Sequence, residues 1–117
     1  MRIATLATTT LLTVLTATFA HAHAFLDHAE PRVGSTTLTA PREVVLVYTQ
    51  NLEPAFSSVE VSDANGARVD QGKPKISAST MRVGVRQLSP GTYRVRWQVL
   101  SVDTHTTEGN FTFRVGP

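Results

Sequence analysis

Tyr93-Arg94-Val95-Arg96-Trp97-Gln98-Val99 alternates apolar and polar side chains at every position. Successive side chains of an extended strand point to opposite faces, so Tyr93, Val95, Trp97 and Val99 share one face and Arg94, Arg96 and Gln98 the other. A strand with one face in a core and one in water reads this way. The same alternation recurs outward from this stretch. Phe111, Phe113 and Val115 alternate with Thr112 and Arg114, Met81, Val83 and Val85 with Arg82 and Arg86, and Val59 and Val61 flank Glu60. Val44-Val45-Leu46-Val47-Tyr48 is continuously apolar and is expected to be covered on both faces. Phe25 and Leu26 open a shorter strand.

Turn residues separate these runs: Pro31 with Gly34-Ser35, Asn65-Gly66, Gly72 with Pro74, and Ser89-Pro90-Gly91. No stretch after Ala22 has an apolar 3.6-residue period of helical length. The expected fold is all-β, a Greek-key immunoglobulin-like sandwich or barrel of about seven strands. Trp97, in mid-strand among β-branched and aromatic neighbours, is expected to fill space between the sheets.

The chain has 117 residues, no cysteine, 41% hydrophobic residues, and 11 Lys+Arg against 9 Asp+Glu. One domain fits this length. Disulfide scaffolds, cysteine zinc or iron–sulfur sites and thiol catalysis are excluded, because each needs sulfur ligands or a thiolate. No run of consecutive Lys/Arg exists to follow a phosphate backbone, so nucleic acid is not an expected partner.

Residues 1–22 have the pattern of an export signal. Arg2 is the positive start, a Leu/Ala/Val/Thr run reaches Phe19, and Ala20-His21-Ala22 is a small-x-small cleavage pattern. Repeated threonines dilute the apolar run below what a membrane span needs. Cleavage after Ala22 leaves a nearly neutral domain of residues 23–117 outside the cytoplasm; cleavage after Ala20 would leave His21 first, with Thr18 at the −3 position.

The cut after Ala22 makes His23 the first residue. An N-terminal histidine offers its α-amine and its imidazole Nδ1 to one metal ion in a six-membered chelate, with no help from the fold. The mature chain has two further histidines, His28 and His105. His105 lies in Ser101-Val102-Asp103-Thr104-His105, between the Trp97 and Phe111 strands. If that segment is extended, Asp103 and His105 point to the same side, close enough for a single metal to bridge them. By itself an Asp-x-His is an ordinary turn feature. Together with His23 the donors become an amine, two imidazoles and a carboxylate, a set suited to the tetragonal preference of Cu(II), with zinc as the second choice. Periodicity does not tell whether His23 reaches the loop of Asp103 and His105.

Over essentially the whole mature chain the sequence resembles the CopC family of periplasmic copper-binding proteins. The resemblance is carried by His23 through Leu26 to Pro31 and Gly34-Ser35, by Leu46-Val47-Tyr48-Thr49-Gln50-Asn51-Leu52, and by Leu88-Ser89-Pro90-Gly91-Thr92-Tyr93. Trp97 followed by Ser101-Val102-Asp103-Thr104-His105 and Gly109-Asn110-Phe111-Thr112-Phe113 completes it. It implies a Greek-key β-barrel with a Cu(II) site built from His23, through amine and imidazole, with Asp103 and His105. It also implies a carrier or buffer serving copper resistance and homeostasis, with an inner-membrane copper transporter as partner.

Two positions depart from family patterns. Gln50 stands where some members carry a glutamate near Cu(II), so it is expected to be at most a hydrogen-bonding group beside the ligands. Only Met81 remains after the signal, so a thioether Cu(I) site is not expected. His28, five positions from His23, faces the opposite side of an extended strand unless a bulge intervenes, and is expected at the surface. Glu53 and Glu108 read as solvated turn residues. The carrier is expected to be a monomer and not an enzyme, since the ligands fill the copper plane. The alternatives are a histidine-brace copper oxidase, which needs an open equatorial position, and a metal-free immunoglobulin-like module.

Overall fold

The computed structural model describes residues 24–117, whose regular structure is β-strand apart from one short 3-10 turn. In chain order the strands are β1 (Leu26–Glu30), β2 (Thr36–Thr37), β3 (Glu43–Tyr48), β4 (Ser58–Ser62), β5 (Asp70–Ser77), β6 (Thr80–Val85), β7 (Gly91–Leu100) and β8 (Thr106–Val115). A single 3-10 turn, Pro54–Phe56, precedes β4. Two four-stranded sheets form, ordered β1-β3-β6-β5 and β2-β8-β7-β4. Apart from β2, this is the strand order of an immunoglobulin sandwich, and the two-residue β2 adds to β8 in parallel. The Tyr93 hydroxyl donates to the Ser89 carbonyl at 2.5 Å, the corner such sandwiches use where a strand enters the second sheet.

The alternation read from the sequence sets the core. Tyr93, Val95 and Val99 of β7 pack with Phe111, Phe113 and Val115 of β8, and these meet Val44, Leu46, Met81 and Val83 of the facing sheet. Trp97 is half-buried against this cluster. Its ring lies over Gly109, where a Cβ would stand 2.5 Å from Trp97 Cζ2, so no larger residue fits there without displacing the indole. Tyr48 meets the same ring edge-on, centroids 5.1 Å apart. Burial pushes the Tyr48 phenol far above its ordinary value, keeping it protonated.

Two sequence expectations need correction. Gly72 and Pro74 do not end a strand but lie inside β5, at a register irregularity between Gln71 and Lys75. β5 is an edge strand, where proline's missing N–H breaks no central ladder. On β3, Val44, Leu46 and Tyr48 are buried, but Val45 and Val47 are only half-buried. Among the described residues no layer covers them; instead they are flanked by the cross-strand neighbours Glu30 and Arg82, and His28 and Thr80.

At one pole of the sandwich lie the start of β1, the segment from Thr49 to Ser58, the Ser77–Thr80 turn and the β7–β8 turn. Main-chain bonds join them. The Thr49 amide donates to the Phe25 carbonyl (2.9 Å), Leu52 to Ala78 (3.0 Å), Glu53 to Leu100 (2.8 Å) and Val102 to Asn51 (3.0 Å).

Candidate metal site

β7 and β8 are paired in unbroken register from Gly91↔Val115 to Leu100↔Thr106. This ladder delivers Asp103 and His105 to one tight turn at the pole. The turn is not extended as the sequence reading supposed. The Thr104 amide donates to the Ser101 carbonyl at 2.9 Å, and Thr104 has φ +71°. Asp103 and His105 still converge, because the chain folds back between them. Asp103 Oδ1 stands 3.5 Å from His105 Nδ1. Two donors on one metal at bond lengths near 2 Å and a right angle are about 2.8 Å apart, so the pair needs little adjustment to share an ion.

Ser101 organises this turn. It is fully buried, its hydroxyl donates to the Asp103 carboxylate, and the same oxygen lies 3.3 Å from the His105 amide. The bond from Ser101, followed by His105 nearby, holds the Asp103 carboxyl below its ordinary value despite some desolvation. Asp103 is therefore a carboxylate throughout the neutral range, as a hard-donor ligand must be.

His23 lies outside the described residues, as do the export signal and both cleavage positions. Its neighbour Ala24 is described. Ala24 is fully buried, and its carbonyl accepts a 2.6 Å hydrogen bond from Thr107 Oγ1, two residues beyond His105. Phe25 continues this seam, its amide donating to Thr49 Oγ1 at 3.0 Å. Among the described residues no three metal-ligating side chains come together, and Asp103 with His105 are the pair in the β7–β8 turn.

The remaining polar residues stand apart. His28 Nδ1 is 2.7 Å from Asp27 Oδ2, and both side chains are exposed. The β1–β3 register shifts between Leu26 and His28, the irregularity that a metal shared with His23 would have required. Gln50 is half-buried in the bend after β3. Glu53 holds the 3-10 turn through its backbone, its carbonyl accepting from Phe56 N and Ser57 Oγ. Glu108 lies on the outer face of β8 opposite Gln98, turned away from the side shared by Thr107 and Gly109. Met81 is fully buried, so its thioether does not reach this pole's surface. The sequence reading missed Ser101 and Thr107. Thr107 had a signal, since it shares the parity of Gly109 and Phe111 and so had to point inward.

Comparison with known proteins agrees with this architecture. The model of the CopC domain matches residues 26–116. Copper resistance protein C of Xanthomonas campestris pv. juglandis is 31% identical over 105 residues, covering 82% of this chain and 82% of that protein. Copper transport protein CutJ of Bacillus subtilis is 28% identical over 99 residues, 81% of this chain but 18% of CutJ. The crystal structure of CopC from Methylosinus trichosporium OB3b superposes with a TM-score of 0.76 at 32% identity, covering 81% of this chain and 95% of that one.

Proposed function

This chain belongs to the CopC family, and from that premise we propose that it is an exported, periplasmic copper carrier that holds one Cu(II) between its mature N-terminus and the β7–β8 turn. Residues 1–22 are the signal removed on export, and residues 23–117 are the copper-binding domain. The α-amine and imidazole of His23 form the chelate, and Asp103 and His105 supply the other two donors. The observation that carries this reading is the Thr107 to Ala24 hydrogen bond, which supports an approach of His23, the residue before Ala24, to the β7–β8 turn.

The donor set of three nitrogens and a carboxylate oxygen favours Cu(II) over zinc in both geometry and affinity order. Burial of Met81 favours the oxidised ion as well, because the mature chain's one thioether is out of reach. With four ligands in the plane, no position is left to activate a substrate, so the protein carries copper and does not turn it over. It works as a monomer in copper resistance and homeostasis, exchanging copper with an inner-membrane copper transporter. CutJ supports that partnership: the stretch resembling this chain is a small part of a longer copper transport protein.

Titrating the mature chain with Cu(II) and recording its electron paramagnetic resonance tests this. A tetragonal signal with nitrogen hyperfine structure, saturating at one ion per chain and lost in His105→Ala, is expected. No binding at micromolar protein would overturn the reading.

A further inference from the structure

Charge is distributed unevenly between the two ends of the sandwich. The pole of the candidate site is built from residues 24–28, 49–58, 77–80 and 100–108. These segments contain Asp27, Glu53, Asp103 and Glu108, and no lysine or arginine. The turns and strand ends at the opposite pole carry Arg32, Arg42, Arg68, Arg86 and Arg114 together with Glu30, Glu43, Asp63 and Asp70, so charge there is mixed and nearly balanced. A cleft or pole of one sign raises the local concentration of oppositely charged species and speeds their encounter.

The acidic pole also carries three of the large apolar side chains left in water among the described residues, the others being Val33 and Leu38 at the opposite pole. Phe25, Phe56 and Val102 are 58%, 69% and 51% exposed. Each is held there by its backbone: Phe25 through Thr49, Val102 through Asn51, and Phe56 at the end of the 3-10 turn that Glu53 ties to Leu100. Scattered exposed hydrophobics are ordinary. Three at one end, among carboxylates in segments that hold no lysine or arginine, make a surface suited to transient contact.

We propose that this pole is the docking face for a copper-exchanging protein whose contacting surface is cationic and studded with apolar side chains. The proposal rests on the copper reading above and adds the face and its partner's chemistry. Glu53, Glu108 and Asp27 steer the partner, and Phe25, Phe56 and Val102 exclude water once it has arrived. Cu(II) then passes by ligand exchange, the partner's donors replacing Asp103, His105 and finally the imidazole and amine of His23, whose freed amine takes up a proton from water, with no change in oxidation state. A second copy of this chain is the lesser fit. Its arginine-bearing pole, with exposed Val33 and Leu38, could meet this face only head to tail, a contact that does not close and would run on into open chains.

The test uses the mature chain loaded with one Cu(II) and two acceptor peptides. Both begin Gly-Gly-His, which binds Cu(II) by its own amine, amides and imidazole; one continues in alternating Lys and Leu, the other in alternating Glu and Leu. Stopped-flow absorbance follows transfer. At low salt the cationic peptide should be loaded about tenfold faster, and the gap should close at about 0.5 M salt. The double variant Glu53→Lys, Glu108→Lys should narrow the gap to within about twofold while keeping its Cu(II) affinity. Phe25→Ser with Phe56→Ser should slow loading of the cationic peptide. Equal rates for the two peptides in the unaltered protein would overturn the docking face. Head-to-tail association of the loaded protein in sedimentation, under the same conditions, would overturn the partner in favour of a second copy. Failure to take up Cu(II) would be seen before any peptide is added and would overturn the copper reading instead.

Discussion

Asp70 and Asp103 occupy opposite poles of the same sandwich and have opposite fates. The Asp70 side chain is 6% exposed and fully engaged: Oδ1 accepts from the Val61 amide and Arg68 Nε, both at 2.9 Å, and Oδ2 from Arg68 Nη2 at 2.7 Å. Arg68 also reaches Glu60 at 3.2 Å. Burial alone would raise the Asp70 carboxyl, but the Arg68 guanidinium and the Val61 amide outweigh it and hold it low. Because Val61 is on β4 and Asp70 on β5, this carboxylate ties one sheet to the other. The Asp103 side chain is 37% exposed, and its neighbours are the Ser101 hydroxyl and His105, with no arginine. The difference teaches which charges the fold consumes. At the far pole Asp70 is matched by a guanidinium group and serves cohesion, whereas at the near pole Asp103 is oriented by a hydroxyl and an imidazole and remains available to a cation.

The largest effect should come from placing one extra residue ahead of His23. The amine of the chelate becomes an amide, and Cu(II) affinity should fall at least about a hundredfold in a calorimetric titration, with no change in melting temperature. An unchanged affinity would mean that the terminus is no part of the site. Exchanging the roles of the two aspartates is the next test. Asp70→Asn should cost about 2 kcal/mol in urea unfolding at pH 7 and leave copper affinity intact, while Asp103→Ala should weaken copper about tenfold and leave unfolding nearly unchanged.

The pH dependence of the first variant fixes its cause. A carboxyl held below its unfolded value of 3.8 contributes stability above that pH and loses it as pH falls through the lower folded value. The deficit of Asp70→Asn relative to the parent should therefore shrink below pH 3.8. A deficit that persists at lower pH would point to packing. The smallest effect is expected from Thr107→Val, which removes the tie to Ala24: about 1 kcal/mol of stability, and several-fold in copper affinity through loss of preorganisation.

Much of this arrangement was legible in the residues themselves. The alternation of β7 and β8 fixed both the fold class and the inward side of each strand, and Asp103 and His105 stood out because few histidines compete with them. What escaped has physical reasons. Gly72 and Pro74 are turn formers by local preference, but an edge strand tolerates a missing N–H and a left-handed glycine, so the tertiary setting overrode them. The turn at Asp103 is closed by Ser101, a residue type too common in loops for its spacing to announce a role. The contact of Ala24 with Thr107 joins distant parts of the chain, and no local pattern encodes such a pair.

That last tie has a bearing on timing. Ala24 and Thr107 are 83 positions apart, and β2, near the start, completes its pairing only on β8. Under the export proposed above, a chain emerging stepwise through a secretion channel could not close its sheets or join Ala24 to Thr107 until nearly everything had crossed. The cargo would be captured by a finished molecule, after translocation, and never by a nascent one.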